Sequence, residues 1–125
     1  MGKHTFSKHE KLTKESWIKE LFERGSSFNL YPFRLIFRDH PDLESSAHQV
    51  LITVSSRNFK RAVDRNSVKR RIREAYRLNK ELLITPKKLL LAYIYVAKEI
   101  LPSAIIHEKL IRANEMIVRR NEKAS

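Results

Sequence analysis

The apolar positions along this 125-residue chain change spacing several times, and each change marks a predicted element. In "LTKESWIKELFERG", Trp17 or Ile18 with Leu21 and Phe22 fall on one side of a helix. Thr13 is its expected N-cap and Gly25 its stop. "FNLYPFRLIFRDH" is rich in aromatic and branched residues and alternates as a strand does. Phe33, Leu35 and Phe37 share one face, and Arg34, Ile36 and Arg38 the other. Pro32 marks an edge or a break. After the polar turn "HPDLESSA", "HQVLITVSS" returns as a second strand, expected antiparallel to the first. A short extra strand is expected near Ser27 to Leu30.

"RNFKRAVD" has no clear period and reads as a loop. A long helix is expected to begin near Asp64 to Asn66 and to run to about Leu83. Pro86 in "TPKK" then discourages helix at the residue before it. "LLLAYIYVA" lacks polar alternation, as a central strand covered on both faces does. "PSAIIHEKLIRANEMIVRR" closes the chain as an amphipathic helix, with Ser103 as its expected cap and Ile106, Leu110, Ala113 and Ile117 as its stripe. The predicted architecture is α+β: a small, mostly antiparallel sheet of about four strands with three helices packed against it. Residues 1–125 are expected to form a single domain with flexible ends at 1–10 and 120–125.

Composition narrows the function. The length suits one domain with a modest core. Cysteine is absent, which excludes disulfides, thiol catalysis and thiolate metal sites. The longest apolar run, Leu89 to Ala97, is too short to span a bilayer, and "MGKHTFSKHEKL" has no signal-peptide core. A soluble, cytoplasmic protein with no membrane partner is expected. The net charge of +12 and pI near 10.2 favour a polyanionic partner, because neutralising phosphates releases condensed counterions.

That charge is concentrated. From Arg57 to Lys80 there are ten basic residues against Asp64 and Glu74, a net +8 of the whole +12. On a helical wheel Val68, Ile72, Ala75 and Leu82 gather in one arc with Tyr76 at its margin. Lys69, Arg73 and Lys80 lie just past that margin, with Asn66, Arg70 and Arg77 beyond them. Arg71 falls on the other flank and reads as surface charge. The helix thus has one side to dock with and a cationic shoulder to offer. The stretch prefers Arg, whose planar guanidinium makes paired bonds to phosphate and stacks on bases. Asn66 can cap the helix or bond a ligand group, and capping is the stronger reading for that residue taken alone.

"AVDRNSVKRRIREAYR" closely resembles the signature of the bacterial ribonuclease P protein component, in which Arg-Asn-x-x-Lys-Arg is followed by Arg a turn later. Arg65, Asn66, Lys69, Arg70 and Arg73 fill those places. "LTKESWIKELFERGSSF", "VLITVSS" and "LLLAYIYVAKEI" resemble the flanking segments in the same order. The resemblance implies a left-handed strand–helix–strand crossover and a fold like the second domain of a small-subunit ribosomal protein. It implies a subunit of the ribonucleoprotein that removes the 5′ leader from precursor tRNA, with catalysis and the Mg2+ ions belonging mainly to the RNA subunit. The partners implied are that catalytic RNA and precursor tRNA. Arg57, Lys60, Arg61, Arg65, Asn66, Lys69, Arg70, Arg73 and Arg77 are the RNA-binding residues expected. A cleft between the sheet and the first helix is implied for the single-stranded leader. Phe22, Phe33 and Trp17 are its candidates; for each Phe a place in the core is an equal reading, and for Trp17 a core or edge anchor is the stronger one. This chain has Ser67 where many members carry a third basic residue, a longer pre-helix loop without Gly, and Ile36 where many place a cleft aromatic.

An independent enzyme finds little support. The five His are scattered, only two glycines are present, and no paired carboxylates suited to hydrolysis are visible. A ribosomal protein or other structured-RNA binder fits the composition equally well, and the motif argues against it. A DNA reader is disfavoured because the cationic side of the long helix carries few short base-reading residues beyond Asn66 and Asn79.

Overall fold

The computed structural model describes residues 6–124. Its elements are α1 (Glu15–Arg24), β1 (Ser26–Leu30), β2 (Phe33–Asp39), β3 (Gln49–Val54), α2 (Ala62–Asn79), β4 (Leu89–Tyr95) and α3 (Ser103–Ala124). The four strands form one mixed sheet in the order β1-β2-β4-β3. β1 and β4 each pair antiparallel with β2, and β3 runs parallel to β4. The expected strand at Ser27 to Leu30 is β1, and the two residues joining it to β2 include a cis Tyr31–Pro32 bond.

β3 is therefore not the partner of β2: β4 lies between them. The apolar composition of β4 explains the insertion. Every residue from Leu89 to Tyr95 is buried except Ile94, which is half-buried. Such a strand is stable only with both faces covered and both edges hydrogen-bonded. The connection from β3 to β4 runs through α2, as parallel neighbours require.

Helices cover both faces, each with its own cluster. On one face Val68, Ile72, Ala75 and Tyr76 of α2 and Ile106, Leu110, Ala113 and Ile117 of α3 meet Phe33, Leu35, Phe37, Leu91, Tyr93 and Tyr95. On the other, Leu21 of α1 and Leu12 meet Ile36, Leu90 and Ala92, with Trp17 and Ile18 at the margin. Each fully buried aliphatic or aromatic side chain contributes roughly 1.5–3 kcal/mol. One polar link crosses the larger cluster, where the Tyr93 hydroxyl donates to Asn114 Oδ1 at 2.6 Å.

Several boundaries differ from those expected. Thr13 does not cap α1; the helix begins at Glu15, and the Lys14 carbonyl receives the N–H groups of Trp17 and Ile18. Ser103 is the first residue of α3 rather than its cap, and the Pro102 carbonyl receives Ile105 and Ile106. α2 stops at Asn79 and gives way to a 3-10 turn over Lys80–Leu82. That tighter turn carries Leu82 to the surface and puts Leu83 in the core instead. At the ends, Lys8–Glu10 forms a 3-10 turn and α3 continues through Ala124, while residues 1–5 and Ser125 lie outside the described ones.

Gly25 ends α1 as expected, its N–H bonded to the Leu21 carbonyl at 2.8 Å. Its φ of −71° is open to any residue, so the requirement is for space. A Cβ there would meet the Leu21 carbonyl and lie 2.7 Å from Ile36 Cγ2.

Candidate nucleic-acid interface

The cationic stretch begins in a pinned loop. Phe59 is buried, its ring 6.1 Å from that of Tyr95, and its N–H donates to the Ser55 carbonyl. Asn58 Nδ2 donates to the Val96 carbonyl at 3.3 Å, holding the loop to the end of β4. Arg65 reaches back from the first turn of α2, and its Nη1 donates to the carbonyls of Phe59 at 2.7 Å and Lys60 at 2.9 Å. With the loop fixed in this way, α2 starts at Ala62, ahead of the expected Asp64 to Asn66. Asn66 therefore sits inside the helix with its side chain exposed and caps nothing.

The ten basic residues divide by what they already hold. Arg65 holds the loop. Arg71, read from the sequence as surface charge, donates from Nη1 to the Leu101 carbonyl at 2.7 Å and ties α2 to the entry of α3. Arg77 pairs with Glu74 one turn back. That hydrogen bond holds the Glu74 carboxyl below its ordinary range. Lys80 lies 2.6 Å from Glu10, both largely buried, and fastens the N-terminal turn to the end of α2. Burial alone would raise the Glu10 carboxyl. Hydrogen bonds from Lys80 and from both the N–H and the hydroxyl of Ser7 outweigh it and bring the carboxyl below its ordinary value.

The remaining six, Arg57, Lys60, Arg61, Lys69, Arg70 and Arg73, have no carboxylate within ion-pair distance among the described residues. Five are exposed, and Lys69 is half-buried. Because α2 buries its opposite side, these side chains all belong to the solvent-facing surface of the helix and the loop before it. Lys69 and Arg73 also overhang a groove of about 320 Å³ along the free edge of β3, which Lys11 lines from the N-terminal segment. Lys11 is a basic residue the sequence reading did not include. Its position depends on the bridge between Lys11 and Val50, a pairing across 39 residues that no local pattern signals.

The three cleft candidates are not together. Phe33 is fully buried on the α2–α3 face, packed edge-on against Tyr93 and Tyr95. Strand alternation places it on the opposite side of the sheet from α1, so it lines no cleft there. Trp17 stands at the start of α1, edge-on to His40 with ring centroids 4.9 Å apart and Lys14 Nζ over its face. Arg38 pairs with Glu20, in the middle of α1, at 3.2 Å. Phe22, in the last turn of α1, remains exposed. Ile36 is buried beneath α1 and offers no surface.

The family model for ribonuclease P matches residues 6–119. The chain belongs to the ribonuclease P family. The ribonuclease P protein component of Porphyromonas gingivalis is 43% identical over 77 residues, which cover 62% of this chain and 56% of that protein. The component from Chlorobium phaeobacteroides is 40% identical over 85 residues, covering 66% of this chain and 58% of the other. The match thus spans a little over half the length of these curated relatives. Among solved structures, the ribonuclease P protein of Thermotoga maritima aligns with a TM-score of 0.71 at 25% identity, over 86% of this chain and 96% of that one. A Staphylococcus aureus ribonuclease P protein aligns with a TM-score of 0.75 at 20% identity, over 88% and 89%. The α+β fold with three helices and a four-stranded mixed sheet is the fold of these family structures. No helix among the described residues is long and apolar enough to cross a membrane.

Proposed function

We propose that this chain is the protein subunit of a ribonucleoprotein ribonuclease P, the endonuclease that removes the 5′ leader of precursor tRNA. The RNA subunit carries the catalysis in this reading, and the protein works in the cytoplasm by binding that RNA and the leader. The observation that carries the reading is the division of labour on α2. Its apolar side is fully docked, four of its basic residues or near neighbours serve the protein itself, and six cations are left to solvent. Like charges a turn apart weaken a helix slightly. An external polyanion placed against them offsets that repulsion.

Arg57, Lys60, Arg61, Lys69, Arg70 and Arg73 take the backbone of the RNA subunit, with Asn66 beside them as a hydrogen-bonding group. Arg65 acts by positioning, because it sets the loop that presents Arg57, Lys60 and Arg61. Magnesium takes oxygen ligands and keeps several of its waters, and in this reading the phosphates of the RNA subunit supply those ligands. Mg2+ is assigned to the RNA. The protein's part is electrostatic: cations beside a dense phosphate core reduce the repulsion that magnesium would otherwise have to screen.

The test is precursor-tRNA cleavage by the matching RNA subunit at low magnesium, with and without this protein. Cleavage at the 5′ junction only in the protein's presence is the expected result. Arg70→Ala and Arg73→Ala should each raise the magnesium requirement while leaving the circular-dichroism spectrum unchanged. A protein that binds the RNA yet never rescues cleavage would end the subunit reading.

A further inference from the structure

A cavity of about 430 Å³ opens where α2 ends, at the opposite end of that helix from the basic loop. The 18 residues of α2 put roughly 27 Å between the two. None of the six free cations lines the cavity. It lies on the α2 side of the sheet, away from α1. Ala47 and His48, at the entry to β3, form one wall, and Leu83 and Ile84, in the connection from α2 to β4, form the other. The buried Tyr76 and the Glu10–Lys80 pair lie at its floor, and the exposed Lys88 stands at its mouth.

What each lining group already holds decides what is left for a ligand. Glu10 and Lys80 cancel each other's charge at 2.6 Å, and the other Glu10 oxygen is held by Ser7. Both ring nitrogens of His48 are bonded to backbone. Tyr76 is only 1% exposed, yet no described residue hydrogen-bonds its hydroxyl, whereas buried polar groups ordinarily have a partner. Burial, helped by the Glu10 charge, pushes its pKa up, so it stays a protonated donor. Ile84 keeps 77% of its surface in water beside the mouth. Lys88 has no carboxylate within ion-pair distance among the described residues. From the inside out the cavity offers an unpartnered phenol on an electrically neutral floor, an apolar wall and a cation. An inorganic anion would leave the phenol and the wall unused, and a lipid chain would bury the phenol unpaired. A flat polar ring that carries an anionic group uses all three, and the volume lies within the roughly 300–1,000 Å³ of small-molecule pockets. We propose that this cavity binds a nucleotide, its base against Leu83 and Ile84 with one edge on the Tyr76 hydroxyl, and its phosphate on Lys88. The site goes beyond the subunit reading and does not depend on it. A free mononucleotide and an unpaired residue of an RNA chain carry the same chemistry, and the experiment separates them.

The full chain is titrated with the common nucleoside 5′-monophosphates, the matching nucleosides and inorganic phosphate, and amide NMR spectra are followed. At least one monophosphate should shift the Ser46, Ala47, Ile84 and Thr85 amides saturably. Inorganic phosphate, drawn to the α2 cations, should not. Tyr76→Phe removes only the hydroxyl and should weaken that binding roughly three- to tenfold, the scale of one hydrogen bond. Its thermal stability should match the wild type, because the hydroxyl has no partner to lose. Lys88→Ala should bring the monophosphate down to the affinity of its nucleoside. Assembly with the RNA subunit then identifies the source. If Ile84→Asp and Tyr76→Phe both weaken assembly, an RNA residue fills the cavity; if assembly is unchanged while monophosphate binding is lost, the ligand is the free nucleotide. The proposal is overturned if no monophosphate shifts those amides, if inorganic phosphate shifts them equally, or if Tyr76→Phe binds as the wild type does.

Discussion

Leu89 N–H donates to His48 Nδ1 at 2.9 Å, so the ring proton sits on Nε2, where the Leu83 carbonyl receives it at 2.9 Å. Both nitrogens are used by the neutral ring, and an imidazolium would turn a second donor on the Leu89 N–H. Burial pushes the His48 pKa down; the positive charge of Lys88 and nearby His40 add to this, and the Leu83 carbonyl and Glu10 only partly oppose it. The sign follows from proton counts. Between the lowered folded value and an unfolded value near 6.5, the unfolded chain binds more protons. The stability His48 supplies is therefore complete above about pH 6.5 and is lost as pH falls through the folded pKa. Urea midpoints should drop between pH 7.5 and 5.5 in the wild type and change less in His48→Gln. That variant should start about 1–3 kcal/mol lower at pH 7.5, because a buried N–H and a carbonyl lose their partner. Equal pH slopes for both proteins would show that His48 titrates freely. None of this was legible in the sequence, where His48 is one of five scattered histidines. Its role comes from partners 35 and 41 residues away. Comparable distances hid the parts played by Arg71 and Lys80, whose partners lie 30 and 70 residues away, since charge can be counted along a chain but its partners cannot.

In the proposed function α2 divides docking from RNA binding residue by residue, and two arginines one apart put this to a test. Arg71→Ala removes a charge-assisted bond to the Leu101 carbonyl and should cost about 1.5–3 kcal/mol in urea unfolding while leaving RNA affinity nearly unchanged. Arg70→Ala should do the reverse, with an unchanged unfolding midpoint and weaker RNA binding. If Arg70→Ala unfolds early, its side chain has a structural duty that the static contacts miss. Gly25→Ala tests a neighbouring element. The added methyl must displace either the α1 terminus or Ile36, and a loss of about 1–3 kcal/mol is expected in the same assay. At this scale the periodicities read correctly. The stripe of α3, that of α2 apart from Leu82, the coverage of β4 on both faces and the short β1 are where the spacing put them. The strand order was not legible, because alternation reports which face a residue uses and not which strand lies beside it. The same limit explains Phe33: its face was assigned correctly with Leu35 and Phe37, but which face α1 covers is a tertiary fact.

Across the whole molecule, a net charge of +12 over a single small sheet should make the proposed association with RNA steeply dependent on salt. The size of that dependence distinguishes two pictures of the basic surface. If every cation from Arg57 to Lys80 met a phosphate, ten counterions would be released there, whereas the contacts found leave six free. Each phosphate contact adds roughly 0.7–0.9 to the slope of log K against log salt. Arg70→Ala combined with Arg73→Ala should therefore lower the slope for the RNA subunit by about 1.4–1.8. Arg71→Ala combined with Arg77→Ala removes the same formal charge, yet its slope should stay close to the wild type because those guanidiniums are held by Leu101 and Glu74. Binding measured by filter retention between about 0.1 and about 0.6 M monovalent salt, over which the Debye length falls from about 10 Å to about 4 Å, resolves the two pairs. Equal losses from both would mean that net charge alone draws the RNA in and that the arrangement on α2 carries no information. A loss confined to Arg70 and Arg73 would mean that the fold has chosen which of its cations meet the RNA by giving the others a partner first.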